Sequence, residues 1–387
     1  MTSLSPPLWL MALGAFGVGA GMRVLDPLLP MLAAEFGVGL DSVAVLIGGF
    51  ALAYGLGQLG AGPLGDRIGK LRVITASLAL YALTLWGAAA ASGLSTLLAL
   101  RVAAGLASAA TIPLMMAHIA DAVPYAQRQG VLGRFLTGMV MAQLLSGPAS
   151  GILAEAFGWR ASFAALALVT SLVALLFAVR LRGAPAASGA GAPGLMGFAR
   201  ILSRPAGRRL MGAAFLDGML LFGGVFPFVA SLLIGRFGFS AAEAGLATAV
   251  FGLGSLVYTR SAALLVPRLG EARMVAAGGM GLALCFAALA LAPAWWVAVA
   301  AHGLAGLLFF MLHGVLQARA TEALPEARGT AVAAFAMSLF LGQSVGAPLF
   351  GAVIGGFGFT PAFMAGAGGV ALLALWIRAA VILPRGA

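Results

Sequence analysis

Twelve apolar stretches, each about as long as a membrane crossing, divide this chain from end to end. A helix needs roughly 20 residues to cross the hydrocarbon core of a bilayer. Because lipid offers backbone amides no hydrogen-bonding partner, crossing segments of this kind are helical. We therefore predict an all-α integral membrane protein with twelve transmembrane helices. The predicted spans are Leu8 to Pro30, Val43 to Ala61, Val73 to Ala91, Ser95 to Ile119, Leu132 to Leu153, Ala161 to Ala178, Leu210 to Leu233, Ala244 to Leu264, Met274 to Pro293, Trp295 to Gln317, Ala331 to Ile354 and Phe363 to Ile382.

The composition excludes a soluble fold. Hydrophobic residues make up 62% of the 387 positions and charged residues 9%, with a mean hydropathy of +1.07. This number of charges is too small to cover the surface of a water-soluble protein of this size. The remaining apolar surface must therefore face the lipid bilayer. The net charge of +11 does not indicate a nucleic-acid partner, because the basic residues fall in short loops. The single cysteine, Cys285, excludes an internal disulfide and a cysteine zinc cluster, and we expect no metal or cofactor.

The basic residues predict the orientation. Of the 22 Lys and Arg residues, Arg160 and Arg236 alone fall on the far side of the membrane, and we place Arg23 and Arg101 in the interior of spans. All the others fall on the side of the two termini and the long central connection. Loops rich in Lys and Arg remain in the cytoplasm. We therefore predict a multi-pass protein of the cytoplasmic (inner) membrane with both termini and the central loop in the cytoplasm.

The central connection separates two halves. It contains GAPAASGAGAPG followed by spaced arginines, which is typical of a flexible linker leading into a basic surface segment. We predict an N-terminal six-helix half at residues 1–181, a cytoplasmic linker at residues 182–208 and a C-terminal six-helix half at residues 209–387.

The two halves are an internal repeat. The shift is 201 residues in the earlier matches and 200 in the later ones, and it holds in four separate regions. A repeat of six spans returns the chain to its starting side, so the copies have parallel topology and a substrate site is expected between them. The matches are Phe36-Gly37 with Phe237-Gly238, RIGKLR from Arg67 with RLGEAR from Arg268, Arg101 and Gly105 with His302 and Gly306, and Gln143, Pro148, Gly151 and Phe157-Gly158 with Gln343, Pro348, Gly351 and Phe357-Gly358.

Three motifs carry a family resemblance. GPLGDRIGKLR runs from Gly62 to Arg72 as a glycine-rich turn between spans 2 and 3, RxxxG begins at Arg101 in span 4, and GPxxG begins at Gly147 in span 5. Together with the twelve spans, the central loop and the repeat, they resemble the major facilitator superfamily over essentially the whole chain. The loop motif is the most specific of the three.

The resemblance implies roles for these motifs. The first is similar to a conformational latch that holds the outward-facing state, although Pro267 replaces its aspartate in the second copy. The third resembles the antiporter signature of drug exporters, in which span 5 bends and packs closely, but Gln143 and Ile152 stand where glycines are expected. A packing role without a bearing on direction is an open alternative. The implied latch residues are Gly62, Gly65, Asp66, Arg67, Gly69 and Lys70, and the implied helix-bending residues are Gly147, Pro148 and Gly151.

We single out five polar residues inside predicted spans as candidate site residues, namely Arg23, Asp26, Arg101, Asp217 and His302. A charge at the centre of a crossing helix costs about 2.5–3.5 kcal/mol, so these groups need partners or water. We expect them to face one cavity and to serve substrate binding or proton coupling. The resemblance implies the same cavity, because spans 1, 4, 7 and 10 line it in that family.

The sequence also suggests different roles for these groups. Arg23 and Asp26 share a helix face, and Arg101 should lie at similar depth, so we expect Asp26 between two guanidiniums. Asp217 has no basic neighbour on its own helix, so we expect it to be a better proton carrier than Asp26. Internal salt bridges and packing remain the alternative role of all these groups. The histidines His118 and His313 receive no role, and the DPLLP segment from Asp26 should interrupt span 1.

The sequence favours a secondary transporter that works by alternating access as a monomer, with proton-coupled export (antiport, or efflux) of a small organic or amphipathic compound. A symporter or uniporter for an organic anion, and a lipid flippase, remain alternatives. An enzyme is not expected, because we find no HExxH and no nucleophile with a histidine at useful spacing. GxxxxGK[ST] is also absent, which favours an ion gradient over ATP as the energy source.

Fusion reporters test the predicted orientation. Alkaline phosphatase fused after Gly191, in the central connection, should be inactive because it stays in the cytoplasm. The same enzyme fused after Gly93, between spans 3 and 4, should be active, and it serves as the control. The opposite pattern of activity would invert the topology.

Overall fold

The computed structural model describes residues 6–181, 194–324 and 328–382, and this part of the chain is helical with no strand. The α-helices α1 to α16 are Leu8–Arg23, Leu29–Phe36, Leu40–Ile68, Lys70–Ala89, Leu94–Ser108, Thr111–Ala122, Tyr125–Phe157, Trp159–Leu181, Gly194–Ser203, Pro205–Asp217, Phe226–Phe237, Ala241–Thr248, Val250–Leu291, Trp295–Glu322, Arg328–Phe357 and Phe359–Trp376. Two π-helical segments, Gly218–Val225 and Ile377–Ile382, continue α10 and α16.

These helices form twelve spans, which confirms the predicted fold class. Ten continuous helices are long and apolar enough to cross a membrane. One of them, Ala241–Leu291, reverses at Gly270 and supplies spans 8 and 9. Span 1 is α1 together with α2. The prolines of DPLLP interrupt it as predicted, because the helix stops at Arg23 and resumes at Leu29.

The turn between spans 2 and 3 is shorter than the motif predicted. We expected a glycine-rich turn from Gly62 to Arg72, but α3 continues through Ile68 and α4 begins at Lys70. Gly69, with φ of 104°, makes the whole turn. The glycines before it lie within the helix, where Gly65 leaves room for the side chain of Leu114 on span 4.

Left-handed glycines explain why the repeat is visible in the sequence. All six described glycines with positive φ fall into three repeat-related pairs, and every described non-glycine residue has negative φ. An L side chain is disfavoured in this conformation, so the turns at equivalent helix ends keep glycine. The pairs are Gly37 with Gly238, Gly69 with Gly270, and Gly158 with Gly358.

The described part of the central connection is helical. Residues 182–193 of the predicted linker lie outside the described residues, but α9 at Gly194–Ser203 packs against spans 2 and 11, one from each half. Span 7 begins at Pro205, earlier than predicted. We call the face of the molecule with the helix ends Leu8, Leu181 and Ile382 the basic face, and the opposite face the distal face.

On the basic face, each half has one ion pair between the start of its third span and the end of its fourth. Lys70 pairs with Asp121, and Glu271 pairs with Arg319. Lys70 and Glu271 are repeat equivalents, so this position keeps an ion pair with the fourth span while its charge is inverted. Ion pairs this exposed contribute little free energy, so we assign them to alignment of the helix ends.

On the distal face, two basic residues of the described chain clamp the end of the third span, one in each half. Arg160 donates to the carbonyl of Ala91 (2.9 Å) and to Glu35 (2.7 Å). Arg236 donates to the carbonyl of Ala290 (2.8 Å) and to Thr360 (2.7 Å). A cation at the carboxyl end of a helix is favourable because the last carbonyls there lack intrahelical partners.

The clamp of the first half predicts an effect on stability. The Glu35 carboxylate accepts hydrogen bonds from Arg160 (2.7 Å) and Trp159 (2.5 Å), and hydrogen bonds to a charged group are stronger than those between neutral groups. Glu35→Gln removes the charge and nearly preserves the shape, so we expect it to lower the unfolding temperature. An unchanged unfolding temperature would contradict this account.

Candidate functional site

The two halves meet closely on the distal side of the molecule. Gly48 of span 2 lies against Ser344 and Pro348 of span 11. The rings of Tyr54 and Phe340 continue this contact, with centroids 4.5 Å apart. Because small residues let helix backbones approach closely, these contacts close the distal entrance between the halves.

The GPxxG motif of span 5 makes the second distal closure, against span 8. Gly151 abuts the carbonyl of Ala241, and Gly147 and Gly245 face one another so closely that a Cβ on Gly245 would collide with the carbonyl of Gly147. Span 5 runs as one helix around Pro148. The close packing implied for this motif is present, and its partner is span 8.

A cavity lies between the halves, on the basic side of the contact between Gly151 and Ala241. Its space for water-sized molecules is about 30 Å³, within about 350 Å³ of empty space that includes open solvent. An adjoining cavity shares Arg23, Gln143 and Phe251 with it. The first half supplies most of its polar groups, whereas the second half supplies aromatic rings and His302. The lining residues of the first cavity are Arg23, Asp26, Gln143, Gly147, Phe226, Thr248, Phe251 and His302.

Arg23 organises the polar wall. Its Nη1 donates to the carboxylate of Asp26 (3.2 Å), and its Nε donates to the amide oxygen of Gln143 on span 5 (3.0 Å). The Arg23 and Asp26 side chains are 14% and 16% exposed, so both still reach the cavity. Gln143, which the sequence treated as a departure from a glycine motif, is a direct partner of the cavity arginine.

Arg101 is near enough to Asp26 for their charges to interact, as predicted, but its hydrogen bonds go elsewhere. Rather than sharing the Asp26 carboxylate by a hydrogen bond, it donates to the carbonyls of Gly21 (2.9 Å) and Leu46 (3.4 Å). Its guanidinium lies 4.3 Å from the centroid of the Phe50 ring, and the residue is 1% exposed. Arg101 therefore ties spans 1, 2 and 4 together within the first half.

Asp217 also lies away from the cavity, in a pair that the sequence did not predict. Its Oδ2 is 2.6 Å from Nδ1 of His313 on span 10, and the residue is fully buried. Its other oxygen, Oδ1, has no hydrogen-bond partner among the described residues. His313 lies eleven residues beyond His302 on the same helix, roughly 16 Å along its axis. The expected common cavity therefore includes Arg23, Asp26 and His302 but neither Arg101 nor Asp217.

Aromatic rings connect this pair to the cavity. The His313 ring stacks on Phe309 with centroids 4.7 Å apart, and Phe309 meets Phe222 at 5.3 Å. Both phenylalanines line the adjoining cavity, and the Arg23 guanidinium lies 5.9 Å from the Phe222 ring. Phe222 belongs to the π-helical segment that begins directly after Asp217. π-Helical turns are rare and occur frequently at functional sites.

Sequence reasoning missed His313 and Gln143 for different reasons. Gln143 carried a signal, because it recurs as Gln343 in the repeat, but the signal was assigned to a helix-packing motif. His313 carried none, since its partner lies 96 positions away and only the packing of spans 7 and 10 joins them.

Comparison with known proteins gives consistent results. A family model described as Major Facilitator Superfamily matches residues 11–227. The chain is 26% identical over 349 residues to YceJ of Bacillus subtilis, an uncharacterized MFS-type transporter, covering 89% of this chain and 88% of that protein. It is 30% identical over 374 residues to a probable transporter of Streptomyces coelicolor, covering 90% and 82%. The solved structure of a D-xylose-proton symporter has a TM-score of 0.78 at 18% identity and covers 97% of each chain, a likeness of fold.

The contact between Gly147 and Gly245 predicts a conformational variant. In Gly245→Ala, the added Cβ meets a backbone carbonyl, so spans 5 and 8 cannot close and the distal entrance should open. With Cys285 replaced by serine and Thr248 by cysteine, a membrane-impermeant maleimide added from the distal side should label Gly245→Ala faster than its parent. Gly212→Ala is the matched control, because its Cβ would make only an ordinary contact with Trp376. Equal labelling of all three would contradict this closure.

Proposed function

The chain belongs to the major facilitator superfamily, and on that premise we propose that it exports a small organic or amphipathic compound in exchange for protons, as a secondary active transporter. Export would proceed by alternating access, in which the two halves rock about the cavity between them. Both halves come from one chain, so we propose a monomer. We also propose the cytoplasmic membrane as its location, with the basic face inside.

The observation that carries proton coupling is the buried pair of Asp217 and His313. With one proton, the pair is neutral overall, either as two neutral groups or as a carboxylate with an imidazolium. With no proton, it holds a net negative charge in a dry interior, which is costly. We therefore propose this pair as the proton site, which exchanges its proton where rocking admits water.

The pair also has a route by which to affect the substrate cavity. His313 stacks on Phe309, and Asp217 directly precedes the π-helical segment that positions Phe222. A change in the pair on proton release would therefore shift rings that line the cavity beside Arg23. Asp26, which lines the cavity itself, is a second carboxylate available for coupling.

The direction of export rests on the GPxxG motif. It resembles the signature of drug exporters, and here it forms the closure between spans 5 and 8. With the basic face in the cytoplasm, the closed distal side leaves the cavity on the cytoplasmic side, as loading for export requires. A symporter or uniporter for an organic anion is a second candidate, because Arg23 places a cation in the cavity.

Proton movement in proteoliposomes tests the proposal. Vesicles that contain a pH-sensitive dye would receive gradients of a panel of organic cations, anions and neutral amphiphiles. At least one compound should drive proton movement in the opposite direction, and Asp217→Asn and His313→Gln should each reduce that movement at least tenfold. Asp41→Asn, at an exposed carboxylate of the distal face, is the control and should retain it.

The outcomes separate the candidates. Proton movement in the same direction as the compound would replace antiport by symport. Undiminished proton movement in both Asp217→Asn and His313→Gln would remove this pair from coupling. Compound movement without any proton movement would leave a uniporter.

A further inference from the structure

We propose that the cavity between Arg23 and His302 binds a small aromatic monoanion, a single flat ring that carries one carboxylate or sulfonate. This inference rests on the proposed transport function and names its substrate class. Three features of the cavity support it: an arginine with unused donors, a wall of phenylalanine rings, and a buried histidine nitrogen without a partner.

The charge of the substrate follows from Arg23. Among the described residues that line the two cavities, Arg23 is the one Lys or Arg and Asp26 the one carboxylate. A guanidinium has five N–H donors, and the described hydrogen bonds of Arg23 use Nε for Gln143 and Nη1 for Asp26. Its Nη2 edge is therefore available in a half-dry cavity, where an oxyanion is its strongest acceptor. An organic cation would have to compete with Arg23 for the Asp26 carboxylate, the one carboxylate that lines these cavities.

The shape of the substrate follows from the opposite wall. Phe226 and Phe251 line the cavity, with ring centroids 4.8 Å apart and edge to face, and Phe222 and Phe309 extend the wall into the adjoining cavity. Rings in this arrangement present flat faces and hydrogen-bearing edges to the ring of a ligand. Stacked or edge-to-face contacts between aromatic rings contribute more binding free energy than burial of the same apolar area alone. A planar aromatic body fits this surface better than a branched aliphatic one.

His302 gives the site its second polar point. The residue is 4% exposed, and its Nδ1 has no hydrogen-bond partner among the described residues. An unpaired buried nitrogen costs free energy, so it favours a ligand with a polar substituent on its ring. The histidine ring packs beside Phe251, with centroids 5.3 Å apart, and thus continues the aromatic wall.

Asp26 makes the proposal sharply testable. It holds Nη1 of Arg23, so it competes with the substrate anion for the same guanidinium. Removing its charge should strengthen anion binding, whereas removing Arg23 should weaken it. A merely structural ion pair would make both changes harmful in the same way.

The test measures ligand binding to the purified full-length chain, by calorimetry and by the shift in unfolding temperature. Benzoate and benzenesulfonate should bind the wild type. Cyclohexanecarboxylate, with the same charge and no aromatic ring, should bind several-fold more weakly, and benzylamine should not bind. Arg23→Gln should weaken benzoate binding about tenfold or more, since a hydrogen bond between charged groups is lost. Asp26→Asn should tighten it several-fold.

Controls keep the test valid if a variant is unstable. Arg180→Gln makes the same substitution on an exposed side chain at the basic end of span 6 and should bind benzoate like the wild type. Arg23→Lys retains the charge and should bind with intermediate affinity. The series of ligands on the wild type needs no variant at all. Equal binding of benzylamine and benzoate, or weaker benzoate binding in both Asp26→Asn and Arg23→Gln, would overturn the proposal.

Failure of this inference is distinguishable from failure of the transport function. If neither aromatic anion binds while another compound drives proton movement in vesicles, the substrate class is wrong and proton-coupled transport stands. If benzoate binds through Arg23 but no compound of the panel moves protons, the site stands and the coupling is wrong.

Discussion

The cost of an unpaired polar group in hydrocarbon governs this structure. Inside the membrane, a charge without a partner costs more than most single packing contacts can restore. Each buried charged side chain described here accordingly has a specific partner: carbonyls and a ring for Arg101, a histidine for Asp217, and a carboxylate with an amide for Arg23. The exceptions among the described residues are single atoms, and two of them, Nδ1 of His302 and Oδ1 of Asp217, belong to groups on which the proposals above depend.

Close backbone approach is the second consequence of the lipid environment. Apolar side chains gain little by leaving lipid for one another, so helix association depends on packing. Glycines supply it at equivalent places in both halves: Gly105 lies against the Phe50 carbonyl and Gly306 against that of Phe251. The same residue type that builds each half also makes the contacts between the halves, which are the contacts that a rocking motion would break and re-form.

The two halves have one architecture and different chemistry. At the start of the third span, each half has an ion pair on the basic face, with Lys70 in one half and Glu271 in the other. The distal clamp uses Arg160 from the last span of the first half and Arg236 from the first span of the second half. The first half supplies the arginine, carboxylate and amide of the cavity, while the second supplies the aromatic wall and the Asp217 pair. Membership of the family explains the shared frame, whereas these differences belong to this chain and are where its selectivity and coupling would reside.

The sequence by itself determined the membrane location, the twelve spans, the repeat, the break in span 1 and the polar residues that need partners. These follow from local properties: apolar length, glycine at left-handed turns, proline, and the cost of a buried charge. The tertiary structure alone decided the partners. Arg101 and Arg23 looked equivalent in the sequence, yet one lies against carbonyls and the other faces the cavity. Asp217 meets His313 only because spans 7 and 10 pack side by side. Partner choice depends on helix rotation and depth, which arise from contacts between residues far apart in the chain, and no local pattern records them.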